Sequence, residues 1–255
     1  MALIPLFAPG IGGVIDEFAG WPFIFIFMAL LGFALLLIIY FDQGETKRFK
    51  DSHTAFSLKA HVELFKSGKF WGYSLTLAFS SGCFFAFLGG APYVASEVHG
   101  LSSIVSGIFI GFPSIGYFVG NYLSATYSRE KGTSVMILLG CSSIFFGMLL
   151  SLAVGLLTAP NPYVFFGLCL FVGFGCGLII PNASAGILSV NLSLSGTAGG
   201  IGNAIMIGLG AVLATISSSL LEGSNTSIPL QLVMLISSIM AFVSFYFLLS
   251  KTRSH

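Results

Sequence analysis

The chain is organised as long apolar stretches separated by short polar ones. Each apolar stretch is close to the ~20 residues that a helix needs to cross a hydrocarbon core about 30 Å thick. Alternation of apolar and polar positions with a period of two, which is typical of barrel strands, is absent. We therefore predict an all-α integral membrane protein with about eight spans. In chain order, spans one to eight cover residues 2–17, 22–40, 70–94, 104–127, 133–157, 162–188, 196–221 and 228–250.

The composition agrees with this pattern. Hydrophobic residues make up 56% of the chain and charged residues only 7%, whereas a soluble domain carries roughly 25% charged residues. The mean hydropathy is +0.99. All four cysteines lie within spans and show neither metal-ligand spacing nor a disulfide framework, so we interpret them as small apolar residues. They are Cys83, Cys141, Cys169 and Cys176.

The distribution of charge predicts an orientation. With eight spans, all ten basic residues fall in alternate loops or in the C-terminal tail: Lys47, Arg48, Lys50, Lys59, Lys66, Lys69, Arg129, Lys131, Lys251 and Arg253. The positive-inside rule assigns these loops to the cytoplasm. The opposite side carries Asp16, Glu17, Glu97 and Glu222 and no basic residue. Both termini are therefore predicted to be cytoplasmic.

The spans are divided unevenly by one polar loop. Residues 1–40 hold two spans, residues 41–69 form a cytoplasmic loop with six of the ten basic residues, and residues 70–255 hold six spans. Six spans are the repeat unit of twelve-span transporters, whose halves are related by an axis along the membrane normal. This arithmetic implies four further N-terminal spans, so we interpret Met1 as an internal methionine or a truncated gene start.

Part of the loop has a helical pattern. Leu58, Val62 and Phe65 share one helical face, which predicts either a short amphipathic helix on the cytoplasmic leaflet or a plain solvated linker. His53 and His61 in the same loop are interpreted as surface residues, because a metal site needs more ligands than these two.

Three stretches carry a family resemblance. Residues 8–33, "APGIGGVIDEFAGWPFIFIFMALLGF", resemble the fifth-helix antiporter motif of the major facilitator superfamily and the Gly-Trp entry that follows it. Together with "FWGYSLTLAFSSGCFFAFLGGAPYVASEVHGLS" and "GLIIPNASAGILSVNLSLSGTAGGIGNAIM", they resemble the bicyclomycin and chloramphenicol resistance subfamily over nearly the whole chain. Pro22 departs from the arginine that is common after Gly-Trp. "GNYLSATYSREKG" matches the cytoplasmic Gly-Asp-Arg-Gly motif only loosely.

The resemblance implies a fold and an activity. The eight spans would equal helices 5–12 of a twelve-helix transporter that exchanges drugs for protons by alternating access. The proton gradient would be the energy source, so no cofactor is expected. The implied partners are the lipid bilayer, protons and a small amphiphilic substrate, without nucleic acid, and the full-length protein would be a monomer. The implied location is the bacterial inner membrane.

Glycines predict a close helix contact. Helices in lipid associate through small residues that let their backbones approach. Span one offers Pro9, Gly10, Gly12 and Gly13, and the resemblance places it against span four. Span four carries two GxxxG patterns on either side of Pro113, formed by Gly107, Gly111, Gly116 and Gly120. We predict a gating contact between these two faces, with generic helix packing as the alternative.

The resemblance also directs attention to spans three and six as walls of a substrate cavity. Span three presents five residues at helical spacing that offer rings and hydroxyls, namely Tyr73, Thr76, Ser80, Phe84 and Phe87. The alternative is a packing or lipid-facing stripe. In span six, Asn182 is expected to satisfy backbone carbonyls freed by Pro181, rather than to contact substrate. Asn203 in span seven is interpreted as an interhelical hydrogen-bonding residue, with cavity lining as the alternative.

Apart from Asp16 and Glu17 at the end of span one, no Asp, Glu, Lys, Arg or His lies inside any predicted span, although such residues are the usual proton relays. A proton-coupled exporter needs one, and the resemblance implies that this acidic residue belongs to the N-terminal half. Two other functions stay open: export of another small solute, such as a sugar, purine or amino acid, and a non-transporting truncated remnant. An enzyme is not expected, because no nucleophile, base and orienting group occur together near one membrane face.

Overall fold

The computed structural model describes residues 3–42, 62 and 64–253, and every regular element in these ranges is helical. The predicted all-α membrane fold is confirmed. The helices are α1 (Leu3–Ala19), α2 (Trp21–Asp42), α3 (Gly68–Tyr93), α4 (Ser103–Lys131), α5 (Thr133–Leu157), α6 (Pro162–Leu168), α7 (Leu170–Ser189), α8 (Ser195–Leu221) and α9 (Ile228–Arg253). A π-helical turn, Val94–Val98, continues α3, and a 3₁₀ turn, Leu192–Leu194, precedes α8.

Seven spans of the described chain are long and apolar enough to cross a membrane. The sequence predicts eight. The remaining one is α1, whose 17 residues reach about 26 Å at 1.5 Å per residue. Helices α6 and α7 together form span six, which is interrupted at Cys169.

Local sequence explains where several helices begin and where the chain reverses between helices. Ser67 Oγ accepts a hydrogen bond from the Phe70 amide, and Asn161 Oδ1 accepts one from the Tyr163 amide, so both side chains satisfy first-turn N–H groups. Gly20 and Gly132 have φ values of +88° and +84°, which favour glycine and allow the chain to reverse between adjacent helices.

Two span boundaries need correction, and one loop prediction stays untested. Span three extends beyond Val94 to Val98 through the π turn, and α4 continues to Lys131, so its basic residues lie in the last helical turn. The predicted amphipathic helix lies largely outside the described residues, as does Leu58. In its described part, Val62 and Phe65 are exposed whereas Leu64 is buried. An apolar face that rests on a membrane leaflet stays exposed on the protein, so these positions leave the amphipathic helix a prediction.

The helices pack into two parts. We call α3 to α9 the six-span bundle and α1 with α2 the two-helix arm. In the bundle, α3 is central and packs against α7, α8 and α9, while α4 and α5 both pack on α7. The arm joins the bundle through α1, which packs on α4, and α2 packs on α1. The most apolar stretch of α2 has no buried residues, whereas 67% of that of α3 is buried.

Candidate substrate cavity and helix interface

A cavity of about 360 Å³ lies between α3, α4, α7 and α8. Its lining consists of Ser81, Phe84, Phe85, Ser114, Tyr117, Cys176, Ile180 and Met206. Aromatic and aliphatic groups therefore dominate, with three hydroxyls and no ionised side chain at neutral pH. The size is within the ~300–1,000 Å³ range of small-molecule sites.

The cavity lies on a different face of α3 from most of the predicted stripe. Thr76 and Ser80 are completely buried, and their hydroxyls donate to backbone carbonyls of their own helix, at Gly72 and Thr76 respectively, each at 2.7 Å. Phe87 is also completely buried, with its ring edge-on to Phe166 at a centroid distance of 6.1 Å. These three residues are part of the bundle core and do not line the cavity.

The other three predicted cavity residues lie in three different places. Phe84 lines the cavity and stacks on Phe87 at 6.3 Å. The ring of Tyr73 lies against Gly186 of α7, where an added Cβ would be 2.5 Å from a ring carbon. Asn203 is exposed on α8 and is not part of the lining. Of the six predicted residues, the structure therefore brings only Phe84 to the cavity.

Sequence reasoning missed most of the lining. Ser81 and Phe85 are the helical neighbours of Phe84, at i−3 and i+1, but the stripe drawn through Ser80 and Phe87 favoured the adjacent face. The available signal was the run of small residues "SSGC" at 80–83 beside paired phenylalanines. Ser81 Oγ is buried and has no hydrogen-bond partner among the described residues, which makes it an available polar group beside the cavity.

Asn182 has a structural role between two helices. Its Nδ2 donates to Ser124 Oγ on α4 and to the Leu178 carbonyl, each at 2.7 Å. Pro181 leaves the Gly177 carbonyl without its usual helical donor, and the Leu178 carbonyl is the next along the chain. The side chain thus ties α7 to α4 in addition to contacting a carbonyl near the proline.

The predicted contact between span one and span four is present at two glycines. A Cβ added to Gly13 would overlap the Ser103 carbonyl, and one added to Gly107 would overlap the Pro9 carbonyl. Gly10 and Gly12 have open space where a Cβ would stand, and Gly111 is buried on α4. Close approach therefore depends on Gly13 and Gly107, and the gating role of the contact stays a prediction.

The second GxxxG pattern does not face span one. Cβ atoms at Gly116 and Gly120 would overlap carbonyls of Leu170 and Phe174 on α7. The reason is the antiparallel register of α1 and α4, which pairs Gly13 with Ser103 and Pro9 with Gly107. Residues of α4 after Gly107 therefore face residues of α1 before Pro9. At this register, Gly116 lies beyond the first residue of α1 and has no position on that helix to face. The expectation that Gly116 and Gly120 match the face of span one is wrong.

Comparisons with known proteins identify the family of the chain. The model of the Major Facilitator Superfamily matches residues 1–215. An uncharacterized MFS-type transporter of Bacillus subtilis is 24% identical over 252 residues, covering 96% of this chain and 61% of the relative. The bicyclomycin resistance protein homolog of Haemophilus influenzae is 26% identical, covering 98% and 63%. Multidrug resistance protein D of Escherichia coli is 26% identical, covering 91% and 58%.

The chain spans less than two thirds of the length of each of these relatives. A solved structure has the same fold: a bacterial homolog of the human lysosomal transporter Spinster, in an inward-facing and occupied conformation. It superposes with a TM-score of 0.60 at 15% identity, covering 100% of this chain and 67% of that one.

Proposed function

Because the chain belongs to the major facilitator superfamily, we propose that it forms part of a proton-coupled exporter of small amphiphilic molecules in the bacterial inner membrane. The observation that carries the proposal is the 360 Å³ cavity between α3, α4, α7 and α8. Phe84, Phe85 and Tyr117 offer ring surfaces, and Ser81 and Ser114 offer hydroxyls. This chemistry suits a molecule with an aromatic or aliphatic body and a few hydrogen-bonding groups.

The names of two relatives support the choice of substrate class. The names of the Haemophilus and Escherichia relatives refer to bicyclomycin resistance and multidrug resistance. An exporter of a sugar, purine or amino acid is the alternative, and the apolar lining of the cavity favours amphiphiles over such polar solutes. Alternating access requires the α1–α4 contact to open and close as the two parts of the transporter move.

Proton coupling requires an acidic residue well inside a span, whereas the acidic residues of the described spans lie at helix ends. We propose that the proton-binding carboxylate belongs to further transmembrane helices of the transporter, outside the cavity described above. The chain alone should therefore show no proton-driven export. Robust ethidium or chloramphenicol export from proteoliposomes holding only residues 1–255 would contradict this requirement.

The substrate site can be tested on the chain as it is. Radiolabelled chloramphenicol binding is measured in lipid nanodiscs for the parent chain, for Phe84→Ala and for Phe146→Ala, the last being a phenylalanine on α5 that is 63% exposed. Removing the cavity ring should weaken binding about tenfold, because a buried aromatic contributes about 1–3 kcal/mol. The control should bind like the parent. Equal affinities for all three proteins, or no binding to any of them, would reject the cavity as the site.

A further inference from the structure

The C-terminal end of α1 carries two acidic residues that contact the first turn of α4. Ser103 Oγ donates to Asp16 Oδ2 at 2.8 Å, and the Ile104 amide donates to Glu17 Oε2 at 3.3 Å. Two consecutive carboxylates of one helix are thus bound by two consecutive residues of another. These hydrogen bonds join the two-helix arm to the six-span bundle.

The chemistry of a helix start explains why carboxylates bind there. The first N–H groups of a helix have no partner within it, and the helix dipole makes this end partly positive. Ser102 Oγ accepts from the Val105 amide at 3.5 Å, and Glu17 accepts from the Ile104 amide. The sequence has no Lys or Arg between residues 70 and 128. The two negative charges are therefore placed by hydrogen-bond donors and a dipole, without a basic residue from this stretch.

The position of these bonds makes them suited to release. Directly beside them, Gly13 packs on the Ser103 carbonyl, and one helical turn further Gly107 packs on the Pro9 carbonyl. An apolar groove also lies between α1 and α4, with Ile11, Ile15, Ile104 and Ile108 among its lining residues. The polar contact is therefore at one end of the interface, and the glycine contacts lie next to it along both helices.

We propose that Asp16 and Glu17 form a clamp that holds this end of α1 against α4, and that release of the clamp lets the two helix ends separate. The clamp stabilises the contact between α1 and α4 whether or not the chain transports anything. Its use as a gate on the predicted non-cytoplasmic side rests on the proposed function. Neutralising the carboxylates removes the charge that favours the helix start and weakens both hydrogen bonds.

The clamp can be tested by distance measurement. In a chain whose four native cysteines are replaced, spin labels are attached at Phe18→Cys and Val105→Cys, two exposed positions beside the contact. Electron–electron double resonance in nanodiscs then gives the distribution of label separations. With Asp16→Asn and Glu17→Gln combined, the separated population should rise by about twofold to fivefold for each carboxylate.

Two further variants control this experiment. Glu97→Gln removes an acidic side chain from the same predicted side and should leave the distribution unchanged. Within the described residues, its carboxylate accepts a local hydrogen bond from Ser96 Oγ at 3.4 Å. Ser103→Ala removes one donor while keeping both charges, and it should give a smaller rise than the double variant. A distribution in the double variant that equals that of the parent would overturn the clamp.

The measurement needs no substrate and no transport. A chain that binds no chloramphenicol but opens on neutralisation would retain the clamp and reject the proposed function. A chain that binds chloramphenicol but does not open on neutralisation would retain the proposed function and reject the clamp.

Discussion

The two-helix arm and the six-span bundle differ in the way apolar residues are used. The most apolar stretch of the chain is in α2, and none of it is buried, whereas α3 is among the less apolar spans and is the most buried. In water the opposite relation holds, because burial is driven by hydrophobicity. In lipid, apolar side chains gain little from contact with one another, so small residues decide which helices pack.

The sequences of the two helices show this directly. Helix α2 reads "WPFIFIFMALLGFALLLIIYFD" and exposes nearly all of its bulky side chains. Helix α3 contains "SSGCFFAFLGGA", and its buried positions include Ser80, Ser81, Gly82, Cys83 and Ala86. High hydropathy therefore identifies a span, while small residues identify a helix in the centre of a bundle.

The largest effect is expected from filling a close contact within the bundle. A Cβ at Gly173 of α7 would overlap the Pro113 carbonyl of α4. Gly173→Leu should therefore separate these helices at a cost of about 3 kcal/mol or more, which lowers the unfolding midpoint by about 10 °C. The control, Gly208→Leu on α8, adds a side chain where nothing lies within 4 Å. A similar midpoint for both variants would contradict the role given to small residues.

An intermediate effect is expected at the junction of arm and bundle. Gly13→Leu should detach α1 from α4 without unfolding the bundle, because its added side chain would overlap the Ser103 carbonyl. Cysteines at Ile11 and Ile108, which border the same groove, report the contact by disulfide cross-linking after removal of the native cysteines. The yield should fall at least about fivefold, equivalent to roughly 1 kcal/mol.

Gly12→Leu is the matched control for this junction, since nothing lies within 4 Å of its added Cβ. Cross-linking in this control should stay at the parent level. Loss of cross-linking in both variants would mean that leucine disturbs α1 itself, and the close-contact explanation would then be rejected.

The smallest effect is a loss of stability on acidification. It is expected in the six-span bundle and not in the two-helix arm, because residues 3–42 of the arm contain no histidine. Burial lowers the pKa of His99, which follows the π turn of α3, below its ordinary value of 6.5. His99 Nε2 is buried without a hydrogen-bond partner in the described chain. Below pH 6.5 the unfolded chain takes up the proton first, so the bundle loses stability as the pH falls toward the folded pKa, and loses no more below it.

The expected change is a decrease of about 2 °C or less in the unfolding midpoint between pH 7 and pH 5, because the imidazole is only partly buried. His99→Gln should remove this part of the pH dependence. If the midpoints of parent and variant fall equally on acidification, the effect belongs to other groups.

The periodicity of the sequence was sufficient to predict the helices. Long apolar stretches bounded by glycines and polar residues specify membrane spans locally, because each span satisfies its own backbone hydrogen bonds within the helix. For this reason the all-α fold and the approximate bounds of α2 and α5 agree with the structure. The π turn at Val94–Val98 and the break at Cys169 carry no comparable local signal.

The cavity and the register of the interface depended on tertiary structure. The stripe containing Thr76 and Ser80 has the spacing of a lining face, yet their hydroxyls bond to their own helix and the face turns toward the core. The sequence likewise predicted contact between the faces that contain Gly13 and Gly107, but it also assigned Gly116 to that contact, whereas Gly116 packs on α7. A helical repeat determines which residues share a face, whereas the antiparallel docking of whole helices determines what that face meets.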